Sequence, residues 1–354
     1  MAELSAKERE FIQRMPKTEL HVHLEGSVYP DALLRLAEKH GRRLPFSSVE
    51  EARDWFKFRD FPHFIEIYVQ ICDCLLDEED YEFVTVEMAK RAEAQNLRYM
   101  EVTFAPVSLL NPRTTALPDV VVPGLRSGAE IAARDHNVEM QFIFDPVRRR
   151  TPEEVLASAE WWSENAGDRL VGFGLGGLEF GNPASRFAEA FDLVRAAGAR
   201  ISLHAGETDG PASIRDALAT GTERVGHGVR AIEDRQLVEE LAESEILLEV
   251  SPTSNICLGV FRDYDEHPFR ALADAGVKLT VNSDDPPMFN TTLTREFEIL
   301  VEHFEYTLDE LIELSRNAIH GSFLDARRQQ ALEEQFRRET SLLAAELDLA
   351  IALP

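Results

Sequence analysis

Cysteine and long apolar runs are scarce in this sequence. Three cysteines, Cys72, Cys74 and Cys257, occur among 354 residues. Without zinc-finger spacing, this small, odd number indicates a reducing compartment rather than a disulfide framework. No segment reaches the ~18 consecutive apolar residues that a membrane-crossing helix needs, and the charged N-terminal residues differ from a signal peptide. We therefore expect a cytoplasmic protein.

Positive charge is also scarce. Lysine and arginine together number 37 against 64 aspartates and glutamates, which gives a net charge of −27. A phosphate backbone or an anionic membrane surface would be repelled by this charge. We therefore expect a small molecule as the partner, and neither nucleic acid nor a membrane. The sequence leaves the oligomeric state undetermined.

The sequence contains no repeat, low-complexity segment or Pro/Gly/Ser-rich linker, so we expect residues 1–354 to form a single domain. Short β-rich runs alternate with amphipathic helical patterns along the chain. The β-rich runs lie at residues 18–24, 99–104, 140–145, 170–175, 200–205, 223–228, 246–250 and 277–283.

Strand–helix alternation implies parallel strands joined by right-handed crossovers. Eight such units predict an α/β fold, a (β/α)8 barrel of the TIM type, with a doubly wound open sheet as the structural alternative. Helical patterns are clearest at residues 184–198, 234–244 and 267–276, and extra helices are expected between the first two strands. The aromatic segment 58–75 is either ordinary helix core or an apolar lid over a pocket. We expect Phe64 in this segment to contact a substrate.

A His-x-His pair lies in the first β-rich run. "TELHVHLEGS" places His21 and His23 two residues apart. Because side chains alternate along a strand, Glu19 and Glu25 would share their face if the strand continues that far. The pattern fits either a solvated polar face or half of a metal site, and a metal site needs partners elsewhere in the chain.

Such partners stand at the ends of later strands. The fifth run ends at His204, with Glu207 three residues on, and the sixth carries His227. The eighth is followed by Asp284 and Asp285. A single strand-end histidine is usually a core residue, but in a barrel these ends converge on one rim. Their joint occurrence therefore predicts an active site.

Three imidazoles and one carboxylate suit a borderline-soft divalent ion, zinc first. The predicted ligands are His21, His23, His204 and Asp284. A coordinated water would have its pKa lowered toward neutrality, which makes a nucleophile available. The fourth run, "LVGFGLGG", offers no bridging acid or lysine for a second ion. We therefore expect one zinc per chain.

Together, "TELHVHLEGS", "SLHAGE", "RVGHGVR", "EVSPTSN" and "NSDDPPMF" resemble the adenosine deaminase family of metal-dependent hydrolases. The resemblance extends from about residue 16 to about residue 325. It implies a (β/α)8 barrel and zinc-dependent hydrolytic deamination of an aminopurine. The other zinc deaminase pattern, H-x-E with P-C-x-x-C, is absent.

The resemblance also implies the role of each site residue. The four predicted ligands match the zinc ligands of the family, and His23 is also expected to face the substrate. By the resemblance, Glu207 protonates the purine N1, and His227 orients the attacking water and assists its deprotonation. Asp285 forms a hydrogen bond with N7, and the backbone N–H of Gly177 reaches N3. Ser254 and Asn255 follow the seventh strand, as rim residues or as a turn. An acid that is protonated at neutral pH needs a raised pKa, which burial of Glu207 would supply.

The resemblance leaves the substrate open. Members acting on adenosine usually carry aspartate where this chain has Glu25, a residue that contacts the ribose 5′ oxygen. Their fourth strand often has an acid where this chain has residues 174–177, Gly-Leu-Gly-Gly, and members acting on adenine tend to have serines there. Members acting on 6-aminodeoxyfutalosine share the glycines and a similar "HAGETDGP" stretch. Because the glycines leave room for a ribose, adenosine is the working prediction, with 6-aminodeoxyfutalosine and then adenine as alternatives.

Two other classes of function remain possible. One is a different mononuclear hydrolase of the same superfamily that cleaves an amide or ester; the Glu207–His227 spacing and the "SDD" motif argue against it. The other is a catalytically silent binding protein. Silent relatives usually lose a ligand or the acid, and this chain retains all of them.

Overall fold

The structure is a computed structural model that describes residues 4–105, 118–167 and 169–352. Its strands form one sheet in chain order, and every neighbouring pair is parallel. They are β1 Lys17–His23, β2 Leu97–Phe104, β3 Glu139–Phe144, β4 Leu170–Phe173, β5 Arg200–Ala205, β6 Arg224–His227, β7 Leu247–Val250 and β8 Lys278–Val281. The predicted (β/α)8 barrel is confirmed, and the open-sheet alternative is wrong.

The seam between β8 and β1 closes the barrel beside the predicted metal ligands. The backbone N–H of His23 donates to the carbonyl of Asp284 at 2.9 Å, and the N–H of Asp284 donates to the carbonyl of His21 at 3.3 Å. The side-chain carbonyl of Asn282 also accepts from the N–H of His21 at 3.1 Å. These bonds fix three predicted ligands relative to one another through the backbone.

Helices surround the barrel. They are α1 Ala6–Arg14, α2 Pro30–Lys39, α3 Val49–Trp55, α4 Phe61–Cys72, α5 Glu78–Ala94, α6 Pro118–Asp135, α7 Pro152–Asn165, α8 Ala188–Ala196, α9 Pro211–Ala219, α10 Arg235–Ser244, α11 Pro252–Cys257, α12 Phe269–Asp274, α13 Pro286–Phe289, α14 Leu293–Phe304, α15 Leu308–Gly321 and α16 Ala326–Leu347. The extra helices predicted between β1 and β2 are α2 to α5. In the described part of the chain, no helix combines the length and apolar content needed to span a membrane.

Two predicted helices differ from the observed ones at their ends. The pattern over 184–198 begins as a 3₁₀ turn, Ala184–Phe187, before α8. The pattern over 267–276 becomes helical only at Phe269, because Pro268 occupies the N-cap position of α12 and His267 lies before it. The prediction for residues 234–244 matches α10 within one residue.

The barrel strands below the site carry a buried network of ion pairs. Arg224 on β6 forms ion pairs with Glu101 of β2 at 2.6 Å and with Glu249 of β7 at 2.5 Å. All three side chains are at most 2% exposed. A buried guanidinium needs such partners because an unpaired charge in a low-dielectric interior is costly. This network supports His21, which Glu249 contacts directly.

Candidate active site

The carboxyl ends of β1, β5 and β8 bring the predicted metal ligands together. His23 Nε2 lies 3.3 Å from Asp284 Oδ1 and 3.3 Å from His204 Nε2. His21 Nε2 lies 3.8 Å from the same oxygen of Asp284. His21, His23 and Asp284 form one compact group of potential ligand atoms, and His21, His204 and His227 form a second group that shares His21. The four predicted ligands, called the ligand cluster below, therefore span both groups.

This donor set fits a zinc ion. His21 Nδ1 is hydrogen-bonded to Glu249 Oε2 at 2.9 Å, whereas its Nε2 is buried and has no hydrogen-bond partner among the described residues. A carboxylate behind the ring fixes the tautomer and directs the other nitrogen to a metal. A buried nitrogen without a partner is costly unless a ligand occupies the site. Three histidines and one carboxylate are a zinc-type set.

The electrostatics of these groups also suit metal binding. Burial lowers the pKa of His23 to about 4 and that of His204 well below its usual range. Both rings therefore offer lone pairs at neutral pH. Burial opposes ionisation of Asp284, but the neighbouring histidines outweigh it and lower its pKa. His21 is the exception: burial acts to lower its pKa, but the Glu249 hydrogen bond and nearby carboxylates raise it to about 9. A bound metal would release that proton.

Two site residues have unusual backbone conformations. His227 has φ of 61° and Asp284 has φ of 63°. A residue other than glycine rarely adopts such values, and strain of this kind persists where surrounding contacts impose it, often at functional sites. The Ser254 hydroxyl, at the start of α11, donates to Asp284 Oδ2 at 2.6 Å. Ser254, predicted as a rim or turn residue, therefore holds the side chain of a predicted metal ligand.

The prediction that Glu19 shares a face with the two histidines is wrong. A register shift between Glu19 and Val22 interrupts the alternation of β1. The Glu19 carboxylate instead accepts from the N–H and the hydroxyl of Ser283 at 2.7 and 2.6 Å. It therefore holds the segment before Asp284 and lies outside the ligand cluster.

The prediction that Glu25 continues that face is also wrong, because β1 ends at His23 and Glu25 begins a 3₁₀ turn. Its fully buried carboxylate accepts from the N–H of Ala105 at 3.0 Å and from the hydroxyl of Tyr68 at 3.1 Å. Burial raises the pKa of Glu25 to about 7. Tyr68, rather than Glu25, lines the cavity.

Glu207 lies beside the metal ligands on the loop after β5. Its Oε1 is 3.7 Å from His227 Nε2, and His227 Nε2 is 3.9 Å from Asp284 Oδ2. Burial, reinforced by the carboxylates of Asp284 and Glu179, raises the pKa of Glu207 well above its usual range. A carboxyl group that keeps its proton near neutrality is a suitable general acid.

Glu179 was not predicted, although it builds the loop that carries Glu207. Its carboxylate accepts from the backbone N–H groups of Gly206, Glu207 and Thr208 at 2.7, 2.9 and 2.8 Å. It also accepts from the Ser213 hydroxyl. The only sequence signal is an acid closely following the fourth-strand glycines, and nothing local links it to a loop about 28 residues away.

A cavity of about 470 Å³ opens over the ligand cluster. Asp285 and Gly177 line it, as predicted, and so does Phe64 of α4. Burial and the adjacent Asp284 raise the pKa of Asp285 well above its usual range, and Asp285 Oδ1 is buried with no hydrogen-bond partner among the described residues. The aromatic segment forms both core and cavity wall, since Phe64 also stacks on Phe289 at 5.6 Å between centroids.

Asp145, directly after β3, was also not predicted. Its Oδ2 lies 3.8 Å from His204 Nδ1, on the side of the ring away from the metal ligands. A Cβ atom on Gly174 would lie 2.2 Å from Asp145 Oδ1, and one on Gly176 would lie 2.2 Å from Oδ2. The fourth-strand glycines therefore leave space for a carboxylate that the third strand supplies. The space beside Gly174 and Gly176, which the sequence-based prediction assigns to a ribose, is therefore taken up by Asp145.

This arrangement predicts that a carboxylate at position 174 can partly replace the one at position 145. Asp145→Ala is expected to weaken zinc binding by ~10- to 100-fold, the usual effect of losing a carboxylate behind a ligating histidine. Gly174→Asp alone should destabilise the protein, because its Cβ would overlap Asp145. The double variant Asp145→Gly/Gly174→Asp should recover part of the lost zinc affinity, measured by chelator competition. Equal zinc affinity in Asp145→Ala and the parent protein would contradict this role.

The chain is similar to proteins of one enzyme family over most of its length. The adenosine deaminase family profile matches residues 16–338. The aminodeoxyfutalosine deaminase of Streptomyces avermitilis is 39% identical over 328 residues, which cover 89% of this chain and 88% of that protein. The adenine deaminase of Rhizobium leguminosarum bv. trifolii is 37% identical over 319 residues, which cover 90% and 98%.

A solved structure shares the fold closely. An amidohydrolase from Burkholderia ambifaria, determined with bound Zn, superposes with a TM-score of 0.88 at 28% identity, covering 98% of this chain and 96% of that one. The profile match covers most of the chain, and the two relatives above are both named as deaminases. Together with the convergent ligands and the buried acid, these similarities show that the chain belongs to the adenosine deaminase family, hydrolases that act on the exocyclic C–N bond of purines.

Proposed function

We propose that the protein hydrolytically deaminates a 6-aminopurine nucleoside with one zinc per chain. The first candidate is a nucleoside with an extended 5′ substituent, 6-aminodeoxyfutalosine, and the second is adenosine. The observation that carries this proposal is the cavity of about 470 Å³, which reaches from the ligand cluster along an apolar wall. The names of the Streptomyces and Rhizobium relatives support an aminopurine but differ in what the purine carries.

Two buried acids complement the hydrogen-bonding edge of a purine. N1 and N7 of a 6-aminopurine are both acceptors, so each needs a donor. Burial and neighbouring carboxylates raise the pKa values of Glu207 and Asp285 well above their usual ranges, which favours the protonated form that can donate. Both side chains line the same cavity. We assign Glu207 to N1 and Asp285 to N7, as the family resemblance implies.

The protein groups carry out the proton transfers around attack at C6. His21, His23, His204 and Asp284 would hold the zinc, which when bound supplies a water with a pKa lowered toward neutrality. Glu207 gives its proton to N1, so that the ring can accept the electrons of the new C–O bond. Asp285 holds the ring through N7. One proton of the attacking water restores Glu207 and the other passes to the amino group, which leaves as ammonia as the C–N bond breaks. This gives the 6-oxo product with a proton on N1.

The cavity is larger and more apolar than a free base requires. Volumes of ~300–1,000 Å³ are typical of sites for drug-sized ligands, and a lone purine is much smaller. Beyond the polar floor, the wall is formed by apolar side chains from α4 and the segment after α11: Phe61, Phe64, Ile65, Val69 and Leu258. This wall would contact a substituent on the sugar. The space in front of the wall admits a group longer than a hydroxymethyl.

Arginine side chains border the same cavity. Arg150 Nη1 donates to Glu154 Oε1 at 3.0 Å, but its Nη2 is buried and has no hydrogen-bond partner among the described residues. Arg149 also lines the cavity. A buried donor of this kind favours a ligand that presents an acceptor, because an unpaired donor costs ~1–3 kcal/mol. Free adenine carries no substituent that could reach beyond the ring-binding floor.

The test is a comparison of kcat/KM for zinc-loaded enzyme on 6-aminodeoxyfutalosine, adenosine, 2′-deoxyadenosine, 5′-methylthioadenosine and adenine. We expect the best nucleoside to exceed adenine by at least ~10-fold, or ~1.4 kcal/mol of transition-state binding. The unfilled wall and the unpaired donor are the physical reasons. A preference for adenine over every nucleoside would contradict the proposal.

Arg150→Ala provides a matched arm of the same experiment. It should lower kcat/KM for the best nucleoside by ~10-fold and reduce the preference over adenine, since it removes a donor to the substituent. The control is Arg235→Ala, whose side chain is 93% exposed on α10. An unchanged nucleoside preference in Arg150→Ala would show that the substituent lies elsewhere.

A further inference from the structure

A chain of hydrogen bonds leads from the start of α12 to His227. The backbone N–H of Phe269 donates to His267 Nδ1 at 3.2 Å. His267 Nε2 lies 3.0 Å from Asn255 Oδ1, and Asn255 Nδ2 lies 3.2 Å from His227 Nδ1. His267 is 5% exposed, His227 is 1% exposed and Asn255 is fully buried.

The backbone N–H at one end sets the direction of every bond in this chain. Because that N–H can only donate, His267 Nδ1 must accept, and the ring proton of neutral His267 is on Nε2. Asn255 then accepts through its oxygen and donates through its amide nitrogen. His227 Nδ1 must therefore accept. This leaves its ring proton on Nε2, which faces Glu207 and Asp284 at 3.7 and 3.9 Å.

We propose that His267 is a positioning residue that acts through Asn255 to hold the proton of neutral His227 on Nε2. The consequence for catalysis rests on the proposed function: His227 donates a hydrogen bond to the oxygen that attacks C6. A nitrogen that already carries a proton cannot take one from the attacking water. This differs from the expectation that His227 assists deprotonation. The proton of the attacking water passes instead to the Glu207 carboxylate, once Glu207 has given its own proton to N1.

The burial of His267 agrees with a neutral ring. Burial lowers the pKa of His267 to about 3. Its ring packs against Phe261, Phe269 and Phe304 at 5.1, 6.4 and 5.7 Å between centroids. These aromatic contacts alone would make His267 an ordinary core residue. A test must therefore separate the loss of packing from the loss of a directed hydrogen bond.

Asn255→Asp separates these two effects, because it keeps the side-chain shape of asparagine but reverses the direction of the hydrogen bond to His227 Nδ1. A carboxylate only accepts, so it would draw the His227 proton to Nδ1. We expect zinc content close to that of the parent protein, a loss of ~100-fold in kcat and a smaller change in KM. In the zinc-loaded parent protein, the ¹⁵N chemical shifts of His227 should show a protonated Nε2 and an unprotonated Nδ1. In zinc-loaded Asn255→Asp, they should show the reverse.

Variants of His267 provide the second comparison. His267→Gln can still donate to Asn255 and should recover most of the kcat that His267→Leu loses, although neither restores the aromatic contacts. Melting temperatures report packing loss in both. Parent-like kcat in Asn255→Asp, or a parent spectrum with the proton on Nδ1, would overturn the proposal. The spectrum needs no substrate, so it stays informative if the proposed deamination fails.

Discussion

A Glu207→Gln variant is expected to retain zinc and to lose at least ~100-fold in kcat, the usual scale of general acid catalysis. The amide has nearly the shape of the carboxyl group, and the backbone N–H of residue 207 can still donate to Glu179. It cannot, however, transfer a proton to N1. The loss should fall on kcat more than on KM, because proton transfer matters in the transition state rather than in substrate binding.

The measurement pairs steady-state kinetics with zinc content for each purified variant. Glu50→Gln, an exposed glutamate on α3, is the matched control and should behave like the parent protein. Near-parent turnover in zinc-replete Glu207→Gln would exclude Glu207 as the acid. A loss of zinc in that variant would instead place Glu207 among the ligands.

The fold could be predicted, and the histidines and acids of the site could be placed on one rim, because both follow from local patterns. Parallel strands buried on both faces give short apolar runs, and barrel geometry places their carboxyl ends on one rim. His204 and Asp284 could therefore be paired with His21 without knowledge of any contact. The same reasoning gave the extra helices after β1, whose amphipathic patterns are plain in the sequence.

The errors on β1 have a local cause that sequence patterns do not show. A register shift in the ladder with β2 interrupts alternation between Glu19 and Val22. The strand then ends at His23 because the chain turns into a 3₁₀ segment at Glu25. Bulges and strand ends depend on what the neighbouring strand and loop offer, and no residue pattern within "TELHVHLEGS" specifies them.

The residues that were missed act across long distances in sequence. Asp145 lies behind His204, Glu179 holds the loop of Glu207, and His267 contacts His227 only through Asn255. Each is a common polar residue in an ordinary local context. Its function depends on which strands and loops the barrel brings side by side, so it becomes visible only in three dimensions.

Removal of one metal ligand is expected to have the other large effect. His204→Ala should lower zinc affinity by more than ~100-fold, since loss of a residue behind a ligand already costs ~10- to 100-fold. Activity should fall with zinc content. The matched control is His320→Ala on α15, whose side chain is 56% exposed and lies 3.5 Å from Glu333. It should bind zinc as the parent protein does.

The parent protein should hold one zinc per chain. Outside the active site, the described residues include one further cluster with ligand-type atoms, His40, Asp77 and Asp80. There, the Lys39 ammonium lies 2.8 Å from both aspartates and takes the place that a cation would need. Two tightly bound ions by elemental analysis would contradict the mononuclear site.

Thermal unfolding gives a readout of the same site that is independent of activity. A ligand bound only by the folded state stabilises it by ~2.7 kcal/mol at 100 times its Kd. Zinc added to metal-free parent protein should therefore raise Tm by several degrees, and His320→Ala should respond equally. His204→Ala should show little or no rise at the same zinc concentration. An equal rise in His204→Ala would place the zinc at another set of ligands and remove the basis for the proposed chemistry.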